Sequence, residues 1–286
     1  MSVQVEDAFS FSPNVLTLSF HHHAPGYFPN SGGKLASGGG RGRGYAMNVP
    51  LPHGIGDDDY LAVFHKVVQT ARETFQPDAV VMVCGADSLA ADPLGAFALS
   101  YRSYVESVLA VRKWGLPLLL LGGGGYREPD TARCWAHVMA AACGVLSTLK
   151  RDIPDHPFFP KYGPSFRMDE TTKANRRRVV PMDPRVRERV VQDACDHLTQ
   201  NIKPKPAPKR GVRRATSARQ HAKVQPMPRQ EQHAVAPNAS TLDTGCNSKA
   251  NGDPHNVNPV AVSARTPCES LPLAACASGH GRDNSM

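Results

Sequence analysis

Residues 79–95 read AVVMVCGADSLAADPLG. The first six are continuously apolar, as in a strand covered on both faces of a parallel sheet. The run stops at Gly85, and a carboxylate, Asp87, follows at once. The same plan recurs downstream: Leu116–Leu121 (LPLLLL) is a second apolar run of buried type. It enters Gly122–Gly125 and then Tyr126. Between and around these runs the apolar spacing changes. Leu61, Phe64, Val67, Val68 and Ala71 recur at helical spacing within Tyr60–Phe75. Leu99–Trp114, Asp130–Cys143 and the amphipathic stretch Arg187–Ile202 also read as helices.

Upstream, Val15–Phe20 (VLTLSF) and Tyr45–Leu51 (YAMNVPL) read as strands, separated by a long loop dense in Gly and Pro. Gly54–Asp59 reads as a turn and helix start, its three aspartates suited to the positive end of a helix dipole. Strands alternating with helices predict an α/β layer protein with a mostly parallel sheet. In such sheets ligands bind beyond the carboxyl ends of the strands. The residues that follow Phe20, Cys84 and Leu121 are therefore the candidates for function.

Composition bounds the rest. The 286 residues carry a formal charge of +8, with 41% apolar and 20% charged residues. No apolar run is long enough to span a bilayer. The opening MSVQVEDAFS lacks a basic region followed by an apolar one, so no secretory signal is expected. Seven cysteines, spread widely and without CxxC pairs, argue against a disulfide framework or a Cys-built zinc site. Residues 204–286 hold 11 Lys and Arg against 5 Asp and Glu, and no Phe, Tyr or Trp. Such a stretch buries too little apolar surface to offset ordering, at roughly 1–2 kcal/mol per residue. Two domains of unlike character are expected: 1–203 folded, and 204–286 a disordered basic tail rich in Pro, Ala and Ser. PKPAPKRGVRR is the densest cluster of the tail. It reads as a targeting or nucleic-acid-contacting arm, or as a solvated linker without a partner. A nucleic-acid module is the weakest class, because no aromatic stacking residues accompany the charge.

Each strand end leaves more than one reading open. Asp87 can be a metal ligand, a general base or a structural cap. Asp92-Pro93 reads as a turn or helix start. The four glycines after Leu121 let the backbone approach a ligand, but Arg127 stands where GxGxxG would need glycine, and no Walker A pattern exists. Tyr126 either donates a hydrogen bond to a developing oxyanion or simply packs. His21, His22 and His23 are adjacent, and neighbours on an extended chain point opposite ways, so the triplet alone makes a poor metal site. Tyr27 and Phe28 either line an apolar channel or pack.

Taken in order, VEDAFSFS, LSFHHHAPGYFPNSG, GRGYAMNVPL, CGADSLAADPLG, LGGGGYREPDTARCW and IPDHPFFPKYGPSF resemble the zinc-dependent histone deacetylases of class I. Histone deacetylase 8-like members are the nearest type. The resemblance runs from about Val5 to about Phe166. It implies the arginase–deacetylase α/β fold, a parallel sheet flanked by helices, and hydrolysis of the acetyl amide of lysine on histones or other proteins. By that resemblance Asp87 is a carboxylate ligand of the catalytic zinc. Tyr126 polarises the acetyl carbonyl. Phe28 is one wall of the acetyl-lysine channel, Gly124 the opposite rim, and Leu94 a residue of its mouth. Phe9, Ser12, Val15 and Tyr45 correspond to a peripheral potassium site, and Ser19 and Phe20 to part of an inner one. Acetylated histone tails are the implied partners, the nucleus the implied compartment, and chromatin regulation with transcription repression the implied setting.

The resemblance also sets expectations from what differs. The family's His-His pair and its other two zinc ligands lie before the VEDAFSFS equivalent, where this chain reads MSVQ. The expectation is thus the carboxyl-terminal half of a deacetylase domain: catalytically incomplete, with little zinc, and an apolar sheet edge left open. A truncated gene product or a non-catalytic deacetylase-like interaction protein is the alternative. Arginines that bind inositol phosphate in corepressor-bound members are replaced by Pro93 and Pro129.

Overall fold

The computed structural model describes residues 2–170 and 177–203, together with the backbone of 258–262. A short helix, α1 (Ser2–Phe9), leads into β1 (Leu16–His22). The Gly-rich loop then brings the chain to β2 (Ala46–Leu51). Helix α2 (Asp57–Phe75) crosses to β3 (Val80–Val83), α3 (Tyr101–Arg112) to β4 (Leu118–Leu121), and α4 (Glu128–Cys143) follows. Helix α5 (Pro184–Asn201) and strand β5 (Asn258–Val262) complete the described elements. The five strands form one sheet in the order β2-β1-β5-β3-β4. β1 runs parallel to β2 and β3 parallel to β4, while β5 is antiparallel to both β1 and β3. All four numbered strands β1 to β4 therefore point the same way, and their carboxyl ends share one edge of the sheet. The chain has the α/β architecture expected from its sequence.

The strand period explains which face is apolar. Leu16, Leu18 and Phe20 alternate onto one face of β1, with Leu18 opposite Met47 and Phe20 opposite Val49 of β2. They meet Phe64, Val67 and Phe75 of α2, and Phe20 and Phe64 pack ring to ring with centroids 5.2 Å apart. Burial of each such side chain contributes about 1.5–3 kcal/mol. The helices lie side by side in the order α5-α2-α3-α4. On the other face of β1, Thr17, Ser19 and His21 are buried but polar. His21 Nε2 lies 2.7 Å from the carbonyl of Gly32, which can only accept, so Nε2 carries the proton. Nδ1 then accepts from the hydroxyl of Ser19 at 2.9 Å.

The three aspartates that open α2 do more than face a dipole. Asp57 accepts from the backbone N–H of Ser100 at 2.9 Å and from its hydroxyl at 2.6 Å, tying α2 to the start of α3. Asp58 pairs with Arg102 at 2.7 Å. Asp59 accepts from the backbone of Met182 at 2.8 Å and pairs with Arg187, which fixes the approach to α5.

Two expectations need correction. The Leu116–Leu121 run was expected to be buried, yet among the described residues β4 ends the sheet, with Leu119 54% and Leu121 40% exposed. A continuous apolar run does not separate a central strand from an edge strand. Residues 258–262 fall in the span expected to be a disordered tail. They form β5 instead, so that expectation does not hold for these five residues. The remainder of 204–286, including PKPAPKRGVRR, lies outside the described residues.

Candidate active site

The turn after β3 carries Asp87 in a single helical turn, Ala86–Ser88, and buries it to 2% exposure. The glycine loop after β4 lies directly against it. The backbone N–H of Cys84 donates to the carbonyl of Leu121 at 2.7 Å, and that of Ala86 to the carbonyl of Gly124 at 3.2 Å. A β-carbon at Gly124 would stand 2.4 Å from Asp87 Cγ and 2.5 Å from Oδ2. Gly124 and Gly125 also have positive φ, +21° and +113°. This loop is glycine because its backbone occupies the space over a carboxylate. Gly95 presses from elsewhere, since a β-carbon there would meet the carbonyl oxygen of Asp87 at 1.9 Å.

The loop next presents Tyr126, with its side chain 44% exposed at the rim. Its backbone is held by Asp92, whose Oδ2 accepts from the N–H of Tyr126 at 2.6 Å. The other oxygen of Asp92 accepts from the N–H of Leu94 at 2.9 Å. Burial raises the carboxyl of Asp92 above the usual aspartate value, against the lowering effect of these donors and of Arg177. In the sequence, Asp92-Pro93 reads as a turn or helix start. The bond to Leu94 is that turn; the bond to Tyr126 spans two loops and leaves no local mark in the sequence.

Beyond Tyr126, Arg127 pairs with Asp130 at 3.2 Å, and Asp130 with Arg133 at 3.1 Å. Arg133 in turn donates to the carbonyls of Tyr162 at 3.0 Å and Arg167 at 2.8 Å. From below, Trp135 Nε1 donates to the carbonyl of Cys84 at 2.8 Å, and the hydroxyl of Tyr104 to that of Gly85 at 2.7 Å. The Cys84 thiol is pushed up to about 12 by burial, so it is no nucleophile.

The structure thus brings Asp87, Gly124 and the backbone of Tyr126 together. Leu94 is half-buried on the adjoining loop. Phe28, 40% exposed, follows β1 at the same end of the sheet. The remaining residues lie elsewhere. Ser19 and Phe20 are buried within β1, and the Ser19 hydroxyl is engaged with His21. Phe9 ends α1, and its carbonyl accepts from Ser12 N–H at 2.9 Å. Val15 and Tyr45 are buried, and the carbonyl of Tyr45 accepts from Thr17 N–H at 2.9 Å.

A zinc centre needs about three protein ligands. Among the described residues no group of three or more His, Cys, Asp or Glu side chains stands together to hold a metal ion. Asp87 is one candidate ligand, and by themselves the described residues do not fit zinc.

Residues 4–142 match the family model described as histone deacetylase domain. This part of the chain is similar to the histone deacetylase family. Its arginase–deacetylase fold accounts for the parallel strand pairs and the helices that connect them. Histone deacetylase 8 of Danio rerio is 44% identical over 165 residues, which are 58% of this chain and 43% of the relative. Histone deacetylase 8 of Xenopus laevis is 45% identical over 167 residues, 58% and 51%. Histone deacetylase 1 of Homo sapiens is 41% identical over 164 residues, 57% and 33%. The chain spans about half the length, or less, of these curated relatives. The segment matched by the family model contains Asp87, Gly124 and Tyr126.

Proposed function

We propose that the chain contributes to zinc-dependent hydrolysis of acetyl-lysine amides on histones or other proteins, and that it holds one part of the site for that reaction. The observation that carries this reading is the seating of Gly124 on the Asp87 carboxylate, with Tyr126 next on the same loop. An amide carbonyl must accept negative charge before its amine can leave. The exposed phenol of Tyr126 is a donor suited to that oxygen, and one such donor is generally worth about 10²–10³ in rate. The carboxyl group of Asp87, fixed in the turn beneath, is buried at the same place. Phe28 and Leu94 would border the aliphatic stem of the lysine. Zinc and potassium dependence, nuclear placement, transcription repression and action on acetylated histone tails belong to this proposal through the family resemblance. So does the division into a deacetylase part, 1–203, and a basic tail, 204–286, of which residues 258–262 pair into the sheet.

The test joins this chain to the part of the Danio rerio relative that it does not match. Turnover of an acetyl-lysine peptide and zinc content are then measured. The hybrid is expected to hydrolyse the peptide, and Tyr126→Phe to lower the rate at least a hundredfold. The 286-residue chain alone is expected to hold little zinc and show no turnover. A folded, zinc-loaded hybrid without activity, or one indifferent to Tyr126→Phe, would refute the assignment. Strong turnover by the chain alone would refute the claim that it holds only part of the site.

A second reading, a non-catalytic interaction protein, is favoured by β4. Four consecutive leucines on an edge strand with two exposed side chains are a template for pairing with another chain.

A further inference from the structure

Arg177 lies beyond residues 4–142, in the basic run Arg176–Arg178, and such runs are usually solvated. Here its side chain is half-buried instead. Its Nη1 lies 3.0 Å from the carbonyl oxygen of Phe97 and 3.3 Å from that of Leu89, and Nη2 donates to the carbonyl of Asp92. Its backbone N–H donates to the carbonyl of Ala90 at 2.7 Å. One guanidinium thus gathers both ends of the loop that leaves Asp87 and returns at Phe97. The planar fork of arginine suits several carbonyls at once, and a lysine ammonium is a single point of charge.

Asp92 stands on that loop with its carboxylate turned the other way, onto the backbone N–H of Tyr126. We infer that Arg177 and Asp92 form a positioning pair that sets the height of the Tyr126 loop over Asp87. Arg177 closes the loop, and Asp92 transfers that closure to the neighbouring one. Neither residue needs to touch a substrate. The catalytic meaning of the pair rests on the proposed role of Tyr126, while the coupling of the two loops does not.

Nuclear magnetic resonance on the 286-residue chain separates the two. In the unaltered protein, the Tyr126 amide proton, held 2.6 Å from a carboxylate oxygen, is expected to resonate well downfield and to exchange slowly. Asp92→Asn keeps the shape but leaves one oxygen for two donors. It is expected to move that resonance upfield and to raise Tyr126 amide exchange about tenfold or more, with core amides of α2 unchanged. Arg177→Ala is expected to raise exchange at both Leu94 and Tyr126, and Arg177→Lys to restore only part of it. In the active hybrid, Arg177→Lys is expected to lower kcat with little change in KM. An ordinary Tyr126 amide shift in the unaltered protein would overturn the inference, without any variant having to fold. So would Tyr126 exchange that stays within twofold in folded Asp92→Asn. If the loops are coupled but the hybrid is inactive, the deacetylase reading fails and the positioning pair stands.

Discussion

Replacing Gly124 with alanine tests the site at its tightest point. The added methyl would lie 2.4 Å from Asp87 Cγ, 2.5 Å from Oδ2 and 2.8 Å from Oδ1. Ordinary contacts are about an ångström longer, so the loop or the carboxylate must move. Forcing an extra methyl into a packed site costs about 1–3 kcal/mol, and left-handed backbone adds about 1–2 kcal/mol for a residue with a β-carbon. The expected loss is therefore about 2–5 kcal/mol. Gly26→Ala is the internal control: its φ is +77°, and nothing lies within 4 Å of the new methyl, so it bears the backbone term alone. Urea unfolding of both variants gives the steric part by difference. The double variant Gly124→Ala/Asp87→Ala removes all three colliding atoms, and should recover most of that difference as a coupling energy. If Gly124→Ala costs no more than Gly26→Ala, or if removing the carboxylate brings no relief, the glycine loop does not rest on Asp87.

Two further outcomes are expected. His21 is buried and bonded as a neutral ring, and burial lowers it below the ordinary 6.5. Between its folded value and 6.5 the unfolded chain binds more protons, so its contribution to stability is complete above 6.5 and is lost as pH falls through the folded value. Unfolding free energy should drop on acidification from pH 7, by at most about 1.4 kcal/mol per pH unit for this group; a slope unchanged in His21→Gln would refute the assignment. Leu119→Lys on the open edge of β4 should reduce concentration-dependent association in analytical ultracentrifugation while leaving the unfolding midpoint within a few degrees; unchanged association would show that the edge takes no partner strand.

The periodic elements were legible because their signals are local. Leu61, Phe64, Val67 and Val68 announce α2, and AVVMVC announces β3, since each pattern lies within one element. The strand ends were legible as well: Asp87 and Tyr126 do follow β3 and β4 closely, as the sequence implies. Three features were not. β5 is a five-residue segment, NPVAV, with a proline that removes one ladder donor, and little in it suggests a strand. The edge position of β4 depends on which strands surround it, and its own leucines say nothing of that. The bonds of Asp92 and Arg177 join residues 34 and 80 to 88 positions apart. Such contacts belong to the tertiary fold, and the local sequence marks them only as a turn and a basic run.

The place of β5 has a consequence for synthesis. Residues 16–20 and 81–82 are joined through residues 258–262, so the two parallel strand pairs are bridged by a segment translated long after both. Until it emerges from the ribosome, the edges of β1 and β3 that it pairs with await it. Contacts so distant along the chain slow folding, and the waiting edges invite capture by chaperones or by neighbours on the same polysome.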